Sequence, residues 1–149
     1  MEKLNKTKYL PPNLLNEIFV EKGIFPQLEV IGLSVKEKPI YGLKIGNGNI
    51  KVLMWSQMHG NESTSTKSLI DFYDFLINDK IGNYLKTNLT FKIIFQLNPD
   101  GSLAFSRNNF NDTDLNRDAL SLTQPESKVL MKEFNLFKPN FCFNLHGQR

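Results

Sequence analysis

The chain has 149 residues, 40% of them hydrophobic and 22% charged, which suits one soluble domain with a real core. Its net charge is +3 and its lysines are scattered, so no clustered basic face offers itself to nucleic acid. No run nears the roughly twenty apolar residues of a membrane span, the N-terminus lacks a secretory core, and a lone cysteine excludes an internal disulfide; a reducing, cytoplasmic location without nucleic-acid or membrane partners is expected.

The first element is a short helix over Leu14 to Glu21, placed after Pro11-Pro12 and stopped by Gly23. "LEVIGLSV" (Leu28 to Val35) reads as a strand, and a polar stretch separates it from a second strand, Ile40 to Ile45. "GNGN" predicts a hairpin turn, because Asn and Gly tolerate positive φ. A third strand runs from Ile50 to Gln57, apolar enough at its centre to be buried on both faces. Leu69, Tyr73, Leu76 and Ile77 recur at helical spacing and predict a helix from Ser63 to Asn78.

Leu89 to Leu97 is the next strand. A long, weakly periodic segment follows, and a loop of that length in a compact domain usually carries function or is disordered. A helix then begins with Thr123 as N-cap, Pro125 in its first turn and Glu126 completing a capping box; Pro139 ends it. The last element, Phe141 to His146, reads as a buried strand with Cys142 as a small core residue. The β-α-β-loop-α-β order from Ile50 onward predicts an α/β fold.

The sequence contains two histidines, His59 and His146. Each ends an apolar strand and is followed by glycine. Ligands of open α/β sheets bind outside the carboxyl ends of the strands, so both imidazoles can meet on one rim. Glu62 follows His59 across the tight Gly60-Asn61 turn. Two histidines and a carboxylate form a known catalytic zinc set with an open fourth position. The competing reading is that each histidine is simply a solvated strand end. The long loop adds Arg107, Asn116 and Arg117 as donors and Asp114 as a carboxylate. Arginine reads carboxylates through paired hydrogen bonds, although a solvated surface loop has the same composition.

The ordered set "HGNE", "NPDG", an arginine, "DLNRD" and "NLHG", spanning Ile50 to His146, resembles the zinc carboxypeptidases of the carboxypeptidase A type. The resemblance implies a mixed, largely parallel sheet with helices on both faces, whose C-terminal part is missing here. It implies residues 1–27 as an N-terminal extension or cap and 28–149 as the N-terminal part of a catalytic domain. It implies one Zn2+ held by His59, Glu62 and His146. Arg107 would polarise the scissile carbonyl, Asn116 and Arg117 would grip the C-terminal carboxylate of a peptide substrate, and Asp114 would hold the first zinc histidine.

The family's general-base glutamate and substrate-capping tyrosine lie beyond its last zinc ligand. Glu126 and Glu133 precede His146 and do not fit that slot, so the chain is expected to bind zinc without catalysing alone. Gly147 stands where many members carry a small residue such as serine, which questions one substrate contact. Truncation of the sheet is expected to expose the final strand as an edge. Two other readings remain: an amidohydrolase resembling the aspartoacylase and succinylglutamate desuccinylase group, and a non-catalytic module that binds peptide C-termini.

Overall fold

The computed structural model describes residues 7–147. Its elements are α1 (Pro12–Glu21), a 3-10 turn (Phe25–Gln27), β1 (Leu28–Leu33), β2 (Pro39–Gly46), β3 (Ile50–Ser56), α2 (Ser63–Asn78), α3 (Lys80–Asn88), β4 (Leu89–Ile94), α4 (Pro99–Leu103), α5 (Leu115–Asp118), α6 (Pro125–Phe137) and β5 (Phe141–Leu145). The five strands form one sheet in the order β1-β2-β4-β3-β5. β2 is antiparallel to both β1 and β4, while β3 is parallel to β4 and to β5. Four strands therefore point one way and β2 opposes them, a mixed and largely parallel sheet.

Strand side chains alternate faces, and the sheet separates two cores accordingly. Val52, Phe91 and Ile93 face one core with Leu15, Ile18 and Phe19 of α1 and Leu69, Ile70, Tyr73 and Leu76 of α2. Leu53 and Ile94 face the other with Leu115 of α5 and Val129 and Phe137 of α6. Each fully buried aliphatic or aromatic side chain contributes about 1.5–3 kcal/mol. Helix α6 reaches the sheet at Gly32, where a Cβ would lie 2.2 Å from Val129 Cγ2. The segment before β1 supplies Leu10, Leu15, Ile18, Phe19 and Ile24 to the first core.

"GNGN" does not close a hairpin. β4 inserts between β2 and β3, so the turn spans a slot one strand wide. Gly48 N–H donates to Leu89 O and Thr90 Oγ1 donates to Gly48 O, fastening the turn around the start of β4. The true hairpin is β1–β2, closed where Ser34 N–H meets Lys38 O and Glu37 takes φ 57°.

Two further expectations are corrected. No capping box starts α6: Gln124 is the N-cap and makes no side-chain cap bond. The Asp118 carboxylate instead accepts from Thr123 N–H, Thr123 Oγ1 and Gln124 N–H. Glu126 turns inward and accepts from Val35 N–H and Asn109 Nδ2. The final strand is not buried. β5 pairs only with β3 among the described strands, Phe141 and Phe143 are 58% and 52% exposed, and Cys142 is exposed. An apolar run encodes burial only where neighbours cover it, and periodicity carries no information about the neighbours. Helix α3 is an addition to the predicted elements; Asp79 caps it by accepting from Ile81 N–H. Among the described residues no helix is long and apolar enough to cross a membrane.

Candidate metal centre

β3 and β5 are neighbouring parallel strands, with Ser56 opposite Leu145. His59 follows the first and His146 the second, so both imidazoles emerge from the same sheet edge, with ring centroids 4.8 Å apart. Between them stands Glu62, brought back by a turn in which Glu62 N–H donates to His59 O. Glu62 sits at the N-cap position of α2 but makes no cap bond, which leaves its carboxylate for the histidines. Its Oε1 lies 2.9 Å from His59 Nδ1, and its Oε2 lies 3.0 Å from His146 Nδ1 and 2.9 Å from Gly147 N.

The turn is shaped by the two glycine motifs meeting. A Cβ on Gly60 would lie 2.1 Å from Gly101 C, so "HGNE" packs backbone to backbone on the "NPDG" helix α4. Asn98 starts that helix, accepting from Gly101 N–H and donating to Met58 O. Asp100 accepts from Lys36 N–H, pinning the β1–β2 hairpin.

The loop after α4 completes the centre. Asp114 Oδ1 lies 3.1 Å from His59 Nε2, and the same oxygen caps α5 by accepting from Asn116 N–H. Arg107 Nε donates to Asp114 Oδ2 at 3.2 Å, and its Nη1 lies 3.7 Å from Glu62 Oε1. That guanidinium is half exposed, so these pairings are worth at most about 1 kcal/mol each. Leu115 is fully buried and anchors α5, which leaves Asn116 and Arg117 exposed on the same loop. The structure thus gathers His59, Glu62, His146, Asp114 and Arg107 into one contact network, while Asn116 and Arg117 follow Asp114 on α5 as exposed residues.

The carboxylates are tuned. Burial pushes Glu62 upward, but Gly147 N–H, His146 and His59 outweigh it and hold the carboxyl below its ordinary value. Burial likewise raises Asp114, and His59, Asn116 N–H and Arg107 bring it below the usual carboxylate range. Both groups are therefore anions near neutral pH.

The donor set tests for a cation directly. A neutral imidazole has one N–H, yet His59 meets a carboxylate oxygen at each nitrogen. With the hydrogen on Nε2 toward Asp114, the Nδ1 lone pair faces Glu62 at 2.9 Å, which is repulsive unless a proton or a metal ion lies between. One ligand atom each from His59, Glu62 and His146 lie within 4.8 Å of one another, a set that could hold a single ion and that fits zinc with one position open. A Cβ on Gly147 would come no closer than 3.4 Å to Glu62, so a serine there would fit, and the contact to Glu62 uses backbone alone.

Several supporting residues were not evident from the pattern of motifs. Asn109 closes the loop by accepting from Asn111 N–H and Thr113 N–H and donating to Gln124 and Glu126. Gln57 and Tyr9 both reach the Gly60 carbonyl. Gln57 also has φ 46°, a left-handed conformation that costs about 1–2 kcal/mol in a residue with a Cβ.

The fold and parts of the sequence have counterparts among known proteins. Carboxypeptidase SOL1 of Arabidopsis thaliana is 28% identical across 81% of this chain, which spans 29% of that protein. The metallo-carboxypeptidase structure from Burkholderia cenocepacia superposes with a TM-score of 0.81 at 21% identity, covering 94% of this chain and 42% of that one. A metallo-carboxypeptidase from Pseudomonas aeruginosa, in complex with (2-guanidinoethylmercapto)succinic acid, superposes with a TM-score of 0.79 at 21% identity, covering 94% and 40%. The zinc carboxypeptidase family, Peptidase_M14, matches residues 14–147, and the chain belongs to it.

Proposed function

We propose that this chain supplies the metal-binding and substrate-anchoring part of a zinc carboxypeptidase that removes C-terminal residues from peptides. The observation that carries this reading is the convergence of two Nδ1 atoms on one carboxylate, with Asp114 behind the first ring. His59, Glu62 and His146 would hold one zinc ion, and bound zinc supplies an acidified water and a polarised carbonyl. Asp114 would accept a hydrogen bond from Nε2–H of His59 and so favour the tautomer that offers Nδ1.

Arg107 borders the cluster from solvent, and its guanidinium suits the oxyanion that develops when the peptide carbonyl is attacked. Asn116 and Arg117 stand exposed on α5 and suit a free α-carboxylate. An internal peptide bond offers no such anion, so this clamp restricts cleavage to a chain end. The succinic acid derivative bound by the Pseudomonas relative is a carboxylate compound, which supports a site of this charge.

Glu62 and Asp114 are both engaged with histidines. Glu126 is committed to Val35 and Asn109, and Glu133 to Lys92. In this reading the carboxylate that moves the water proton is not among these, and the described residues bind substrate more than they turn it over. The family match over residues 14–147 favours a peptidase over an N-acyl amino acid amidohydrolase.

The deciding experiment is titration of zinc into metal-stripped chain, with elemental analysis. One zinc per chain, lost in His59→Ala, is expected. A chain that takes no zinc overturns the reading, and hydrolysis of an acyl-aspartate in preference to a C-terminal dipeptide reporter redirects it to the amidohydrolase class.

A further inference from the structure

Gln57 lies two residues before His59, just past the end of β3. It is fully buried and holds a left-handed backbone, which a residue with a Cβ adopts only when its surroundings impose it. Every hydrogen-bonding position of its side-chain amide is used. Oε1 accepts from Thr66 Oγ1 at 2.6 Å and from Gln96 Nε2 at 3.1 Å. Nε2 donates to Gly60 O at 2.7 Å and to Ser102 Oγ at 3.0 Å. Its backbone carbonyl accepts from Asn98 N–H.

The two Nε2 hydrogens go to different motifs. One fixes the carbonyl in the turn between His59 and Glu62; the other fixes α4, the helix against which that turn rests without room for a Cβ. Thr66, which sets the amide's orientation, lies in the first turns of α2, the helix that Glu62 precedes. Gln57 therefore touches the turn before Glu62, the helix after it and the helix beneath it.

We propose that Gln57 is the positioning residue of the metal centre, its amide clamping the 59–62 turn onto α4 and thereby setting the spacing of His59 and Glu62. The inference rests on the zinc reading above. A residue that served packing alone would need volume but neither an amide nor a left-handed backbone. Glycine would relax the backbone at this position and, among the described residues, leave Tyr9 as the remaining side-chain donor to Gly60 O.

The test compares Co2+ and Zn2+ binding by the unsubstituted chain, Gln57→Gly and the near-isosteric Gln57→Glu, with the visible spectrum of the cobalt form and a metal-free thermal melt. Metal affinity about 10- to 100-fold weaker, together with an altered cobalt spectrum in a variant that still melts cooperatively, is expected. In Gln57→Glu the lost donors leave Gly60 O and Ser102 Oγ facing a carboxylate, so it should follow the same direction and serves if the glycine variant does not fold. A folded variant that binds cobalt as tightly as the unsubstituted chain, with the same spectrum, overturns the proposal even if its melting temperature has dropped. Failure of the unsubstituted chain to bind either metal removes the zinc reading first, so the two failures are distinct.

Discussion

Nε2 of His59 lies 3.1 Å from Oδ1 of Asp114, and the opposite ring nitrogen faces Glu62 at 2.9 Å. In the proposed zinc form this imidazole carries its hydrogen on Nε2, toward Asp114, and directs its Nδ1 lone pair at the metal. Asp114→Ala should therefore weaken zinc binding about 10- to 100-fold while leaving the ligands in place. Isothermal titration of zinc reads the loss, and nitrogen NMR of His59 should show the Nε2-protonated form losing its dominance. An unchanged affinity would mean that the contact orients nothing.

The carboxylate clamp proposed for Asn116 and Arg117 gives a second expectation. Peptides with a free C-terminus should bind the zinc-loaded chain more tightly than their amides, and Arg117→Ala should erase that difference. A hydrogen bond to a charged group is worth about 1.5–3 kcal/mol, or roughly ten- to more than a hundredfold in affinity. Arg117→Lys should recover only part of it, because an ammonium lacks the paired fork. Equal loss for acid and amide peptides would count against the clamp.

Acid stability should centre on Asp118. Burial opposes its charge, yet the Thr123 hydroxyl, the backbone N–H groups of Gln124 and Thr123, and Ser127 bring its carboxyl down to about 2 from an ordinary 3.8. A depressed folded value stabilises the fold above the unfolded value and loses that contribution as pH falls through the folded one. The stabilisation is present above about pH 4, declines between about pH 4 and 2, and amounts to about 2 kcal/mol. Chemical denaturation of Asp118→Asn should show this loss at pH 6 and a flatter response below pH 4 than the unsubstituted chain.

The exposed edge makes a colloidal prediction. Phe141 and Phe143 stand beside Val52, Met54, Phe72 and Phe91 around an open apolar trough. Unpaired strand edges of this kind recruit other strands. Phe143→Lys should reduce self-association at high concentration without lowering the melting temperature, as read by light scattering and a thermal melt. Increased scattering would assign the trough another role.

The convergence of the candidate metal ligands was legible because they are rare residue types at strand ends. Two histidines placed after two apolar strands, each before a glycine, can be matched to one sheet edge from order alone. The helix Ser63–Asn78 was legible because its apolar spacing is strong and uninterrupted. What failed was information about neighbours. "GNGN" has the composition of a hairpin, but pairing is decided by which strand arrives beside it. Cys142 sits in an apolar run, but its burial depends on a covering layer. The supports fared worst. Asn109 lies among asparagines and aspartates that read as solvated loop, and Gln57 looks like any residue ending a strand.

The placement of β4 between β2 and β3 also bears on how the molecule folds. The chain makes β2 and β3 in succession but cannot zip them together without closing the slot that a later strand must enter. A premature hairpin there would be a non-native trap that has to open before helices α2 and α3 deliver β4. Assembly of the sheet is thus governed by a distant contact, the kind that slows folding because the intervening loop must close first. The Gly48 turn, fastened to Leu89 and Thr90 instead of to its own flanking strands, is the latch that registers that late arrival. Substitutions at Gly48 should act mainly on the unfolding rate, since its contacts form only when the last central strand is in place.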